Sequence, residues 1–358
     1  MEQMNELGFY TLPGAPKSPQ DLLHEVRKGE ALGLGSCFIS ERFNIKEAVT
    51  LSGAVGAVST NLGIATAATN HNTRHPLVTA SYATTMHRLT EGRFCLGIGR
   101  GIGPLFAAYG MSKITTAQME DFANVMKRLF KGEVIFGHDG PIGKYPILAL
   151  DPTFDENIPL GITAFGQNTL ELAGRAFDCV ILHTFFSDET TQRCVKTVKD
   201  SAERAGRDPD KVRVWSCFAT IGDHIPEDIR LKKTVGRLAT YLQGYGDLMV
   251  TTNNWDPAVL QRFRDDEFIK TFRGALDGIA TTEQLEHVAT LIPSEWLESA
   301  ASGTPEQCVQ SIRHQFDLGC DGVIMHGASP NDLAPIVHEY RATRPVGIFD
   351  HLAANPGG

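Results

Sequence analysis

The chain has 358 residues, with 33 lysines and arginines against 42 aspartates and glutamates and a formal net charge of -9. That balance excludes a broad polyanion-binding surface, so neither a nucleic acid nor an anionic membrane is an expected partner. Hydrophobic residues at 42% and charged residues at 21% supply a full-size core, and one α/β barrel uses this length as naturally as two average domains do.

The seven cysteines (Cys37, Cys95, Cys179, Cys194, Cys217, Cys308, Cys320) are odd in number, widely spread and form no C-x-x-C pair. Reduced structural thiols are therefore expected, several of them in buried strands. The opening MEQMNELGFYTLPG has no basic segment followed by an apolar one. No run approaches the ~20 apolar residues of a membrane span, so a cytoplasmic protein is expected.

In chain order, residues 7–12 (LGFYTL) read as strand one, ended by Pro13, Gly14 and Pro16. Ser18 then reads as a helix cap with Pro19 in the first turn, and Gly33 and Gly35 stop that helix. Residues 37–40 form strand two, and residues 46–58, rich in alanine and glycine, a helix that packs closely. Residues 62–67 are strand three, followed by the polar loop TNHNTRHP, a helix opened by Pro76, and strand four over 93–99. A helix is predicted over 115–130, where Met119, Phe122, Val125, Met126 and Leu129 recur at helical spacing. Residues 133–150 read as a hairpin or loop outside the main repeat.

Strand five follows over 158–164, a helix over 168–175, strand six over 179–182, a helix over 188–205 and strand seven over 212–219. From 222 to 302 the pattern turns helical and polar without a convincing strand, which reads as an insertion within one domain spanning 1–358. Thr304, Pro305 and Glu306 open a helix reaching Leu318, strand eight spans 321–326, and a final helix lies near 331–344. Eight short apolar strands alternating with helices require parallel pairing through right-handed crossovers. Eight repeats in one chain predict a TIM (β/α)8 barrel with an inserted helical segment.

Four stretches carry candidate chemistry. In GRFCLGIGRGIG, Gly97, Gly99 and Gly101 do not fit the dinucleotide fingerprint, because no acidic residue follows at the required distance. Glycines at a strand end instead let a flat ring approach the backbone, or simply make a tight turn. In TNHNTRHP, Thr69 and Asn70 offer donors and acceptors to a heterocycle, while His71 and His75 lack the helical frame of a metal site, so no metal is expected. In ITAFGQNTLELAG, a turn at Phe165, Gly166 and Gln167 before a helix is a phosphate cradle, or an unliganded βα turn. Glu41 and Arg42, after strand two, form either a structural ion pair or a substrate-steering and proton-donating pair.

Taken together, TNHNTRHP, GRFCLGIGRG, ITAFGQNTLELAGRAFDCVIL and SGTPEQCVQSIRHQFDLGCDGVIM resemble the luciferase-like monooxygenase superfamily, most closely its branch that uses the deazaflavin coenzyme F420. The resemblance implies a barrel of the bacterial luciferase-like type, a homodimer or other homo-oligomer, and a small-molecule substrate. It implies F420, or FMN as the alternative, at the carboxyl ends of the strands. It places a non-proline cis peptide at Ala67 to Ala68, ring contacts at Thr69, Asn70, Arg100 and Gly101, and phosphate contacts at Ala164, Phe165, Gly166 and Gln167.

Alcohol and sugar-phosphate dehydrogenases of that branch carry Asp-His where this chain has Glu41-Arg42, and a glutamate where it has Ile102. The resemblance therefore favours substrate reduction by the reduced deazaflavin, with Glu41 and Arg42 as the first candidates for catalysis and His71 or His183 after them. An FMN-dependent monooxygenase and a barrel that binds the deazaflavin without turnover are the alternatives.

Overall fold

Inward-facing positions explain why these strands close on one another. In a strand alternate side chains share a face, and Phe38, Ala65, Ala67, Cys95, Cys179, Ile181, Trp215, Cys217 and Ile324 form one buried cluster inside the sheet. Trp215 is the largest of these side chains, fully buried. It meets the Phe38 ring edge-on at 5.0 Å, and a Cβ on Gly322 would sit 2.4 Å from the indole. Bulk on one strand is thus matched by its absence on the neighbour, as close packing demands.

A computed structural model describes residues 2–14, 16–43 and 45–358. The barrel strands are β1 (Met4–Tyr10), β2 (Leu34–Ile39), β3 (Gly63–Thr66), β4 (Phe94–Ile98), β5 (Leu160–Thr163), β6 (Cys179–Ile181), β7 (Arg213–Gly222) and β8 (Gly322–His326). Each pairs in parallel with the next, and β8 returns to β1, so the sheet closes as a TIM barrel. A larger apolar cluster lies between the barrel and its helices. A separate one is built largely by helices between Glu227 and Ala289 and also takes in Phe185, Ala219, Trp296 and Ala300.

Several boundaries differ from expectation. Leu12 has a φ of 51, which ends strand one early, and β1 begins at Met4 instead of Leu7. The first helix is Asp21–Ala31 and lacks a side-chain cap, because Ser18 closes a separate turn and its hydroxyl accepts only from Gln20 N. A short helix, Gly103–Ala108, with Pro104 in its first turn, lies where none was expected. Residues 133–150 form an antiparallel hairpin, Ile135–Gly140 with Gly143–Leu148. The region 222–302 does contain a strand, Ala300–Gly303, which pairs with the last four residues of β7; its small residues carry no apolar alternation. Thr304 caps the helix Pro305–Asp317 through a reciprocal capping box with Gln307.

The amino-terminal end of the barrel is plugged by the last residues of the chain. Asn355 donates to the carbonyls of Gly92 and Phe94 at 2.7 and 2.9 Å, and the Trp215 indole N–H donates to Pro356 O at 2.8 Å. Chemistry is thereby left to the opposite, carboxyl end. All seven cysteines are free and buried. Among the described residues no helix is long and apolar enough to cross a membrane, and no group of three or more His, Cys, Asp or Glu is placed to hold a metal ion.

Candidate active site

The carboxyl mouth consists of two arcs. The first runs along β2 to β5 and gathers the residues singled out from the sequence except His183. β3 ends in the cis peptide Ala67-Ala68, whose neighbour Thr69 bridges back to β4 through Thr69 N to Gly97 O at 3.1 Å and Gly99 N to Thr69 O at 2.8 Å. The buried Asn70 amide donates to Gly99 O at 2.8 Å. A Cβ on Gly97 would lie 1.9 Å from Thr66 O, so only glycine fits there. The result is a flat, backbone-lined shelf between β3 and β4.

Glu41 belongs to this arc and is held by several partners. Its side chain is 1% exposed. It accepts from Ala48 N at 2.9 Å, Thr69 Oγ1 at 2.9 Å and the Arg74 guanidinium at 3.1 Å. Its oxygens are engaged by these donors, and its ion-pair partner is Arg74 and not the adjacent Arg42. Arg42 donates to Gly14 O.

Arg100 points away from the shelf. It donates to Ile114 O at 2.8 Å, Thr116 Oγ1 at 2.6 Å and Thr169 Oγ1 at 3.2 Å, and so fixes the start of the helix Gln167–Ala176. Gly101 follows with a φ of 67, and a Cβ there would meet the Phe106 ring at 2.3 Å. His71 lies under the loop against Phe122. Burial, then Arg100, lowers its pKa, and its Nε2 is buried without a partner among the described residues.

The turn after β5 is open. Gly166 is the N-cap of Gln167–Ala176 and provides no side-chain cap. The Gln167 side chain bonds Glu171 at 2.8 Å instead of facing inward. The first N–H groups of a helix lack intrahelical partners and carry the positive end of its dipole. A Cβ on Gly166 would meet nothing within 4 Å. An anionic group therefore has both space and donors at this turn, and the adjacent shelf admits a planar ring. These residues fit a flavin-like cofactor with a phosphate.

The second arc holds His183, one of the later candidates from the sequence, together with Tyr241 and Tyr245 of the insertion. By strand parity, Tyr10, His183 and His326 follow the inward positions Gly8, Ile181 and Ile324, and reach the top of the lumen. His183 Nδ1 donates to Thr184 O at 2.9 Å, because a carbonyl only accepts, so its bare Nε2 accepts from Tyr245 Oη at 3.0 Å. The ring lies 4.5 Å from Phe165 and 4.9 Å from Tyr241, joining the two arcs. Burial pushes the His183 pKa down to about 4. His326 meets Tyr10 edge-on at 5.3 Å, and burial together with Arg237, His183, Lys46 and Arg42 pushes its pKa down to about 3.

Tyr241 and Tyr245 come from the helix Arg237–Asn253, which kinks at Tyr245. Arg237, at its start, pairs with Asp277 at 2.7 Å. These half-buried imidazoles are thus held neutral beneath an aromatic and cationic roof. The usable signal was parity: His326 falls two residues after Ile324 in DGVIMH, where a polar side chain at the end of an apolar strand faces the mouth.

Comparisons with known proteins agree with this architecture. The family profile described as luciferase-like monooxygenase matches residues 6–342. The 5,10-methylenetetrahydromethanopterin reductase of Methanolobus tindarius is 24% identical over 309 residues, covering 85% of this chain and 89% of that protein. Among solved structures, the coenzyme F420-dependent tetrahydromethanopterin reductase of Methanopyrus kandleri superposes with a TM-score of 0.77 at 18% identity, covering 95% of this chain and 98% of that one. An F420-dependent secondary alcohol dehydrogenase, solved with an F420-acetone adduct, superposes with a TM-score of 0.68 at 16% identity, covering 96% and 100%.

Proposed function

This chain belongs to the luciferase-like monooxygenase family, and from that premise we propose that it is a cytoplasmic, homodimeric, coenzyme F420-dependent oxidoreductase acting on an organic substrate. The observation that carries the reading is the pairing of the Gly97 to Asn70 shelf with the open turn at Gly166. One is flat and the other is built for an anion, as a ring and a phosphate require. The names of the reductases supply the direction of reduction, and those of the solved structures the deazaflavin.

When bound, the deazaflavin supplies the hydride chemistry, and the protein supplies orientation, dryness and electrostatics. Residues Ala67, Ala68, Asn70 and Gly101 would border the ring, with Ala164, Phe165, Gly166 and the Gln167 amide at its phosphate. Thr69, Glu41 and Arg100 hold that frame in place through the bonds described above. Hydride transfer requires the two carbons to approach to roughly 3–3.5 Å, so the substrate must lie against the second arc. There Tyr241, Tyr245 and Phe165 exclude water, and the neutral ring of His326 presents hydrogen-bonding groups. With Glu41 fully engaged, proton delivery falls to this arc.

Anaerobic incubation with reduced F420 and a panel of ketones, enones and imines tests the proposal through acceptor-dependent return of the oxidised deazaflavin absorbance. The family description itself supports a second reading, FMN-dependent monooxygenation, in which product would form only with reduced FMN and oxygen. Tight F420 binding without turnover on any acceptor would mark a non-catalytic binder.

A further inference from the structure

His326 differs from its neighbour in one respect. Both nitrogens of His183 have partners, whereas His326 makes no side-chain hydrogen bond among the described residues. Its ring is half-buried, oriented by Tyr10, and directed by strand parity into the mouth. A neutral imidazole has one donor and one acceptor. Both are available here.

Cations from separate elements lie around this part of the mouth: Lys46 reaches the carbonyls just past Tyr10, the ring that His326 meets, with Arg42 paired to it along the backbone, and Arg237 lies 5.8 Å from the ring of Tyr241, which packs on His183. The first two are locked together by Arg42 N to Lys46 O at 3.0 Å and Lys46 N to Arg42 O at 2.8 Å. Lys46 is spent on the carbonyls of Thr11 and Leu12, at 2.8 and 3.1 Å. Arg42 uses one guanidinium nitrogen on Gly14 O, and Arg237, 17% exposed, has Asp277 as its salt-bridge partner. The other nearby carboxyl is Glu25, beside Lys46, and burial pushes it up to about 7. Positive charge in this half-buried region therefore exceeds negative charge. Removing unbalanced charge from water is costly unless a counter-charge arrives.

We infer that the substrate carries a carboxylate or phosphate, received by Arg42 and Arg237, with the His326 N–H as a neutral third donor. The assignment of this anion to the substrate rests on the F420-dependent reading; the anion site itself does not. Bidentate guanidinium contacts suit both groups, and a fixed neutral donor between two cations adds direction. The other anion that could reach the mouth is the cofactor's own phosphate.

Calorimetric titration with inorganic phosphate and with acetate separates these sources. Saturable binding of at least one anion is expected, weakened about tenfold or more in Arg42→Gln and Arg237→Gln, as loss of a charge-assisted bond implies. Arg237→Lys, which keeps the charge and the Asp277 pair, should retain most of the affinity, and His326→Asn should weaken it less than the arginine variants do. Binding should persist when the protein is saturated with oxidised F420. No saturable binding of either anion, or equal affinity in both glutamine variants, overturns the proposal. Displacement of the anion by F420 overturns the assignment to substrate and gives the site to the cofactor. F420 affinity is read in the same titrations, so failure of the deazaflavin reading is seen independently of the anion result.

Discussion

The Glu41 carboxylate lies 3.1 Å from the Arg74 guanidinium, and this contact joins the loop after β2 to the loop after β3. Arg74 also pairs with Glu47, the N-cap of the helix Ala48–Val58. Thr69, under the shelf, is held from the same cluster. The loops of the first arc are therefore tied together through one buried carboxylate.

Glu41→Gln should lower stability by about 2 kcal/mol, the scale of a lost charge-assisted bond, and weaken cofactor binding. The pH dependence of kcat should stay that of the wild type. A proton-donating Glu41 would instead cost about 10²-fold or more in kcat and remove one limb of the profile. Thermal melts and a pH series on both proteins decide the point.

Glu25 gives a stability difference with a defined sign. Its carboxyl accepts from Leu12 N at 2.7 Å in a buried place, and burial raises its pKa from 4.5 to about 7. The folded state thus holds this proton more tightly than the unfolded chain does. Its stabilising contribution is complete below pH 4.5 and is lost as pH rises to about 7. Glu25→Gln keeps an acceptor for Leu12 N without the charge, and should be more stable than wild type at pH 8 by roughly 1–3 kcal/mol. The advantage should disappear near pH 4.5, as urea melts at several pH values would record.

Asn355 holds the barrel floor through donors to Gly92 O and Phe94 O and an acceptor for Gly357 N. Asn355→Ala leaves two carbonyls and one N–H to find other partners, at a cost of about 2–3 kcal/mol. The melting temperature should fall by roughly 3–6 °C, with F420 affinity unchanged because the mouth lies at the other end of the barrel. A change in affinity without a change in melting would contradict this separation of floor and mouth.

A homodimer follows from the proposed reading and is supported by an apolar surface. Helix Pro76–Leu89 leaves Val78 and Leu89 55% and 53% exposed, and the neighbouring Ala48–Val58 has no charged residue. Light scattering should give twice the chain mass, and Val78→Lys with Leu89→Lys should reduce it to one copy. Monomeric wild-type protein at micromolar concentration would remove the dimer from the account.

The repeating architecture was legible because it is local. Apolar runs such as residues 179–182 and caps such as Thr304-Pro305 specify strands and helices without reference to distant residues. The cis bond at Ala67-Ala68 was legible only through the family resemblance. Contacts over long separations were not: Glu41 finds Arg74 and not Arg42, and Arg100 finds Thr169, because loop geometry decides which cation meets which acceptor. The strand Ala300–Gly303 and the Asn355 plug were missed for the same reason, since each is defined by its partner. His326 was hidden in an apolar strand, although its parity with Ile324 marks the face it occupies.

The central claim is a deazaflavin site between the shelf after β3 and the turn at Gly166. It is tested most directly by titrating oxidised F420 and FMN, in parallel, into the wild type and Gly166→Ala. A Cβ at Gly166 meets nothing within 4 Å, so the variant should melt with the wild type while occupying the space proposed for the phosphate. Saturable F420 binding at micromolar or tighter affinity, weakened about tenfold or more in Gly166→Ala, is the predicted result. Binding of FMN alone, of neither cofactor, or of F420 with equal affinity to both proteins would contradict it.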